Sequence, residues 1–410
     1  MWPRPRTGSA SRGVCRCRWC WTRGRRACRC SWARTPACSS SREAEMARGA
    51  YHLRLMEGLR REVGILSLSG PTAHLAFRTS LSCVLAMLLA MALHLEDPAW
   101  AGITGLAIIQ KDFAASLSRS IDRCLGTIAG AAVGYFGAHF VADHLIFQFI
   151  CAGASIFGLY GMERSTHGYA ALLGAVTVIL VMFGALGNPE GALNVAVYRA
   201  LEIMVGVGVA FAVDAMFAPD RIRKPAPKKP GIFTTPVDQP LLVVAVTGGI
   251  AVALIPVIWE SLQLPGLGQT PVTAFVIMVS LQREPAWTAV NRVSGCILGG
   301  LYGLACMHVV DDNIIAWVLM LFLGLYVSCH VKHGSGDAAY SGHQAGIAVI
   351  MAMVQGLAPS PDILPAIDRL VGIIGGLVVV LVAQALLTPL VARILPRLLG
   401  AGTRAPPPAP

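Results

Sequence analysis

Arg123-Cys124-Leu125-Gly126-Thr127-Ile128-Ala129-Gly130-Ala131-Ala132-Val133-Gly134 and, 169 residues later, Arg292-Val293-Ser294-Gly295-Cys296-Ile297-Leu298-Gly299-Gly300-Leu301-Tyr302-Gly303 are one pattern written twice. An arginine opens each copy, and glycines follow at every fourth position. On an α-helix that spacing puts Gly126, Gly130 and Gly134 on one face, and Gly295, Gly299 and Gly303 likewise. Glycine weakens a helix in water. In lipid, small residues in a row let two helix backbones approach closely, so both rows read as helix-packing faces. The repeat continues downstream. Arg199-x6-Gly206 matches Arg369-x6-Gly376 at an offset of 170, and Met216-Phe217-Ala218-Pro219 matches Leu386-Leu387-Thr388-Pro389 at the same offset. Three anchors that agree within one residue indicate a duplicated unit.

Composition says what kind of unit it is. The chain is 55% hydrophobic and only 13% charged, with a mean hydropathy of +0.62. A soluble domain has roughly a quarter of its residues charged. Leu75–Leu95, Leu125–Val141, Ala170–Leu186, Ala200–Phe217, Leu241–Ile258 and Gly372–Leu387 are runs close to the roughly 20 residues of a bilayer span. Backbone groups in hydrocarbon must bond within their own segment or within a closed barrel. The runs do not alternate, which excludes a barrel. The sequence therefore predicts an all-α integral membrane protein with about twelve transmembrane helices. Spans fall near 75–95, 98–110, 121–141, 145–161, 168–187 and 195–218, then near 239–259, 268–282, 291–309, 312–331, 338–357 and 365–389. The second span of each set is short enough to be a half-helix.

Charge orders these spans. The formal net charge is +11, but residues 1–45 hold eleven arginines and two glutamates, which leaves +2 for the rest and no case for nucleic-acid binding. Lys111, Arg119, Arg164, Lys224, Arg283 and Lys332 fall in loops on one side. Glu96, Asp97, Asp143, Glu190, Glu260 and Asp312 fall on the other. The positive-inside rule places the basic side, and both termini, in the cytoplasm. Each half has an even number of spans, so the two six-helix repeats are parallel, related by a pseudo-two-fold axis along the membrane normal.

The organisation follows. Residues 1–45 form an Arg/Cys-rich tail without apolar period, which reads as disordered, or as lying upstream of a true start at Met46. Its Cys15-x-Cys17-x2-Cys20 and Cys28-x-Cys30 could supply thiolates to a metal, but the spacing is irregular and no histidine accompanies them. Residues 46–74 read as an amphipathic basic helix on the cytoplasmic face, or as an extension of the first span, with Leu55, Met56, Leu59, Val63 and Leu66 at helical spacing. The first repeat is 75–218. A proline-rich cytoplasmic linker, 219–240, has no room for a folded domain. The second repeat is 241–390, and 391–410 is a proline-rich cytoplasmic tail.

Four arginines are candidates for an anion pathway. Arg199 and Arg369 do not sort to the cytoplasmic side. They lie a few residues inside the outer ends of the sixth and twelfth spans. An intramembrane charge is tolerated when paired or facing a wet cavity. Two guanidinium groups related by the pseudo-axis could line a passage for anions, or each could snorkel or pair, Arg199 with Glu202 one turn on and Arg369 with Asp368. Arg123 and Arg292 open the glycine rows near the cytoplasmic ends of their spans, where anchoring at the interface is the simpler role. Glu202 and Asp214 are candidates for carrying a coupled proton, because an apolar site favours the protonated carboxyl. Pairing of Asp214 with Arg221 is the structural alternative. The sequence holds no metal-ligand set within the membrane part, no Walker loop and no nucleophile elbow, so it calls for no cofactor and no enzyme.

One family shares these residues. Asp97-Pro98-Ala99-Trp100, Gln110-Lys111, Arg123-x2-Gly126-Thr127-x2-Gly130, Gly168-Tyr169 with Thr177, and Tyr198-Arg199-x2-Glu202-x3-Gly206 together resemble the fusaric acid resistance (FUSC) family of bacterial inner-membrane transporters. The resemblance covers about 75–390. It extends more distantly to aromatic-carboxylate exporters and plant aluminium-activated malate channels. In the second half, Gln269 stands where the first has Trp100, and Gly372 where it has Glu202. The resemblance implies export of small organic anions such as aromatic acids, driven by the proton gradient, from a bacterial inner membrane. A passive anion channel and a non-transporting scaffold are the alternatives. It also implies, as partners beyond the bilayer and the anion, a periplasmic adaptor protein in some members and a homo-oligomer in others.

Overall fold

The computed structural model describes residues 53–217 and 237–398, apart from 62–63, 65, 265–266, 269, 281–284, 311–312, 335 and 357–363. The Arg/Cys tail, residues 219–236 of the linker, the last residues of the chain, Arg221, Arg283 and Asp312 lie outside the described residues. A short helix, α1, spans 53–61. The first half then runs α2 (Pro71–Ala92), α3 (Ala99–Ile108), α4 (Phe113–Ala138), α5 (His144–Arg164), α6 (Gly168–Gly187) and α7 (Ala192–Phe217). The second runs α8 (Gln239–Leu262), α9 (Thr270–Ser280), α10 (Pro285–Val310), α11 (Ile314–His333), α12 (Ala339–Met353) and α13 (Leu364–Leu398). No strand occurs among the described residues. Eight of these helices are long and apolar enough to cross a membrane, so the chain is an all-α, multi-pass membrane protein.

Local chemistry sets the boundaries. Asp143 opens α5 by accepting hydrogen bonds from the amides of Leu145 and Ile146. At the repeat offset of 170, Asn313 opens α11 through Ile315 and Ala316 in the same way. The duplication therefore reaches the helix caps. The ten residues of α3 extend only about 15 Å, half a hydrocarbon core. The backbone then turns extended at Ile109 before Asp112 caps α4 by accepting from the Ala115 amide. Non-helical backbone at such depth persists only where protein or a polar cavity satisfies it.

The glycine rows explain the closest helix pairs. A Cβ at Gly126 or Gly130 would run into the carbonyls of Ala170 and Gly174 on α6. A Cβ at Gly295 or Gly299 would run into those of Ser341 and Ala345 on α12. Thus α4 packs tightly on α6, and α10 on α12. The other pairings recur too. In the first half α2 packs on α3 and α7, and α5 on α6. In the second, α8 packs on α9 and α13, and α11 on α12. Between the halves α5 meets α8, and α11 meets α2. The two principal cores sit at those junctions. One buries Phe147 and Ile179 of the first half with Val252 and Phe275 of the second. The other buries Met87 and Leu106 with Trp317 and Leu325. The halves are interlocked rather than two bundles side by side.

Two boundaries depart from the sequence reading. The helix expected over 46–74 is described over 53–61, and the backbone is non-helical over 66–70, before α2. It packs Leu55 against Trp287, Val331 and Ala338 of the second half, while Arg54 lies 4.8 Å from the Trp287 ring and 2.6 Å from Asp337. Its apolar stripe thus meets protein. The last helix, expected to stop near 390, runs to Leu398 through Pro389 and Pro396. Each proline removes one backbone bond, while the apolar pattern continues through Leu390, Val391, Ile394 and Leu398, with Arg393 and Arg397 between them.

Candidate functional site: an arginine-lined cavity

The tight approach of α4 to α6 places Arg123 beside Tyr169. Arg123 is buried. Its Nε donates to Thr104 Oγ1 at 3.1 Å and its Nη1 to Tyr169 Oη at 3.2 Å. The second half repeats the triad. Arg292 donates from Nη2 to Thr273 Oγ1 at 3.1 Å and from Nη1 to Tyr340 Oη at 3.2 Å. Thr273 and Tyr340 stand 169 and 171 residues after Thr104 and Tyr169. Neither arginine has a carboxylate within 4 Å among the described residues. Neutral hydroxyls hold both guanidinium groups in place without compensating their charge, and Arg292 Nε is buried with no partner among the described residues. Burial at these positions replaces the interface anchoring that was the simpler reading of the sequence.

The arginine and tyrosine of each triad face one cavity of about 240 Å³ between the halves. Arg123, Arg292 and Arg369 line it, with Trp100, Tyr169 and Tyr340 as its aromatic wall. No acidic side chain is among its lining residues. Arg369 and Arg199, expected as an equivalent pair, are placed differently. Arg199 does not line the cavity. Its guanidinium lies 4.1 Å from the ring of Trp100, which does, and it stands 3.5 Å from Glu202 and 3.9 Å from Asp97. Glu202 also accepts the Asp97 amide at 2.8 Å. Outside the spans, withdrawal from water at these packed helix ends raises the Asp97 carboxyl from its ordinary range, and Arg199 pulls the other way. In the second half Gln269 and Gly372 replace Trp100 and Glu202, so that latch has no counterpart.

The other carboxylate candidate is also committed. Asp214 on α7 pairs with Arg78 on α2, both side chains being almost fully buried. Arg78 donates as well to the Gln110 carbonyl beyond the end of α3. Arg78 escaped the sequence reading because a lone arginine in an apolar run shows no partner. Its partner lies 136 residues away. Tyr340 carried a usable signal: aligning the two repeats puts it opposite the Gly168-Tyr169 motif. Glu202 and Asp214 both lie outside the cavity lining.

The wider comparisons agree with this organisation. The profile of the "Fusaric acid resistance protein family" matches residues 73–229, and that of "Fusaric acid resistance protein-like" matches 238–383. The chain is similar to the p-hydroxybenzoic acid efflux pump subunit AaeB of Edwardsiella tarda, 26% identical over 36% of this chain and 25% of that protein. The AaeB of Edwardsiella ictaluri is 28% identical over the same shares. Escherichia coli YhfK is 27% identical over 36% of this chain and 20% of its own length. The chain thus spans about a quarter of the length of the curated relatives it matches. None of the solved structures matches it significantly. With one profile on each six-helix half and the arginine triad repeated in both, the chain belongs to the fusaric acid resistance family of membrane proteins.

Proposed function

We propose that this protein exports small aromatic anions through the cavity between its halves. The observation that supports this most directly is the pair of buried, carboxylate-free guanidinium groups of Arg123 and Arg292 on opposite repeats, facing one space with Arg369. An uncompensated charge within a bilayer costs several kcal/mol unless water or a counter-ion solvates it. A carboxylate entering the cavity supplies that counter-ion. The tyrosine and tryptophan rings supply faces for an aromatic body. At about 240 Å³ the cavity is smaller than the roughly 300 Å³ at which drug-sized pockets begin, which favours a single-ring acid. The names of the AaeB relatives point the same way.

Under this reading both repeats enter from the cytoplasmic side of a bacterial inner membrane, both termini are cytoplasmic, and the pseudo-axis follows the membrane normal through the cavity. The proton gradient drives export. Glu202 and Asp214 are the carboxylates within the spans that could take up a proton, each by releasing its arginine. The test is flux of 4-hydroxybenzoate in proteoliposomes carrying Arg123→Gln with Arg292→Gln. At least a ten-fold loss is expected, with the protein still folded. Undiminished flux would refute the proposal. Flux that ignores an imposed proton gradient and follows only the anion's own gradient would instead favour a channel.

A further inference from the structure

A second, larger space adjoins the arginine cavity. It measures about 490 Å³ and shares Ala107, Tyr169 and His343 with the inner cavity. It exists because α3 is short. Arg78 lies seven residues, about 10 Å, into α2. Since Arg78 holds the Gln110 carbonyl, the end of α3 sits well below the end of its neighbour. The space fills the missing turns. Its wall carries Lys111, Arg119 and Lys332, with the ring nitrogens of His333 and His343. Its one acid, Asp112, is turned to the first turn of α4, where it caps the Ala115 amide. Lys332 and Arg119 donate to the Leu106 and Ala107 carbonyls, so both cations are fixed by neutral oxygens. Among the described residues no carboxylate lies within 4 Å of Lys111, Arg119 or Lys332.

The charge is not repeated in the same register: at offsets of 169 to 170, Arg119 and Lys332 correspond to Thr288 and Met162.

We propose that this cationic vestibule is a separate binding site for a small carboxylate, which loads there before passing Tyr169 and His343 to the arginine cavity. The inference rests on the transport reading for the direction of passage, but binding in the vestibule can be measured alone. A thiol placed on its wall by Ala115→Cys reports both potential and occupancy. A like-charged lining focuses anions. The full-length protein should therefore react at least ten-fold faster with an anionic methanethiosulfonate than with its trimethylammonium analogue, relative to a free thiol in solution. Millimolar 4-hydroxybenzoate should slow the anionic reagent. Adding Lys111→Gln, an exposed change that removes no packing, should lower the charge preference several-fold, and Lys332→Gln should remove protection. No charge preference, or no protection by the carboxylate, overturns the vestibule. The Arg123→Gln, Arg292→Gln background separates the two ideas. Protection that persists there while flux is lost supports both. Normal flux in that background defeats the transport reading alone. As a check that needs no cysteine, Lys111→Gln should raise the KM for 4-hydroxybenzoate presented on the vestibule side and leave kcat unchanged; an unaltered KM counts against the site.

Discussion

Replacing Asp214 by Asn would leave Arg78 buried without its counter-charge, while Arg78 remained bound to the Gln110 carbonyl. Breaking one side of a buried pair costs about 3–5 kcal/mol, so Asp214→Asn should lower the unfolding temperature sharply. The second half shows how the position tolerates neutrality: its counterparts are Thr247 and Gln384. Arg78→Thr combined with Asp214→Gln should therefore recover most of the loss, as thermal unfolding in detergent will measure. The outer arginines should separate in the same manner. Arg199 is spent on Trp100, Glu202 and Asp97. Arg199→Gln strips the buried Glu202 of its cation and should cost about 1–3 kcal/mol of stability with little change in KM. Arg369 lines the cavity, and Arg369→Gln should raise the KM for a carboxylate at least ten-fold while the protein stays folded. Equal effects of the two substitutions on KM would mean that Arg199 also reaches the anion. Sequence alone placed these two arginines together because the repeat register is all it displays. Their divergence comes from residues that touch them in space, and Gln269 and Gly372 were the visible traces of it.

Among the helices, the glycine rows set how closely α4 and α10 approach α6 and α12, and that distance brings each arginine to its tyrosine. Gly299→Leu would force α10 off the Ala345 carbonyl and should abolish both folding yield and flux. Gly300→Ala, at a neighbouring glycine whose Cβ would meet nothing within 4 Å, should be close to neutral. Equal damage from both would point to helix propensity rather than to packing. Helix number and approximate position were legible from apolar runs and charge order, since bilayer thickness fixes the length of a span. Helix ends were less so. The sequence marks Pro389 as a stop, yet α13 continues past it to Leu398, because a proline deletes one bond of the ladder and leaves the others in place. The helical period of Leu55 and Leu59 predicts an amphipathic helix at the membrane face. Nothing in its period distinguishes lipid from Trp287 and Val331 as the apolar surface it meets.

At the scale of the whole molecule, the repeated sequence pattern was readable and the interlocking of the halves was not. A constant offset of 169 to 170 residues reveals two copies. It does not reveal that each principal core draws on both of them. The cavity and its vestibule follow from that exchange, since both are walled by first-half and second-half residues. Reporter tags at the two ends of the chain should be accessible from the same side of the membrane, and single cysteines at Asp143 and Asn313 should both label from the opposite side. Labelling of those two positions from different sides would mean that one half is inverted and would remove the symmetric basis for the passage.

The shared cores also make each half the other's folding partner. A lone six-helix half would expose the surfaces of α5 and α2 that α8 and α11 cover in this chain. Cutting the chain between the halves and expressing both pieces together should restore a working protein, whereas either piece alone should be degraded.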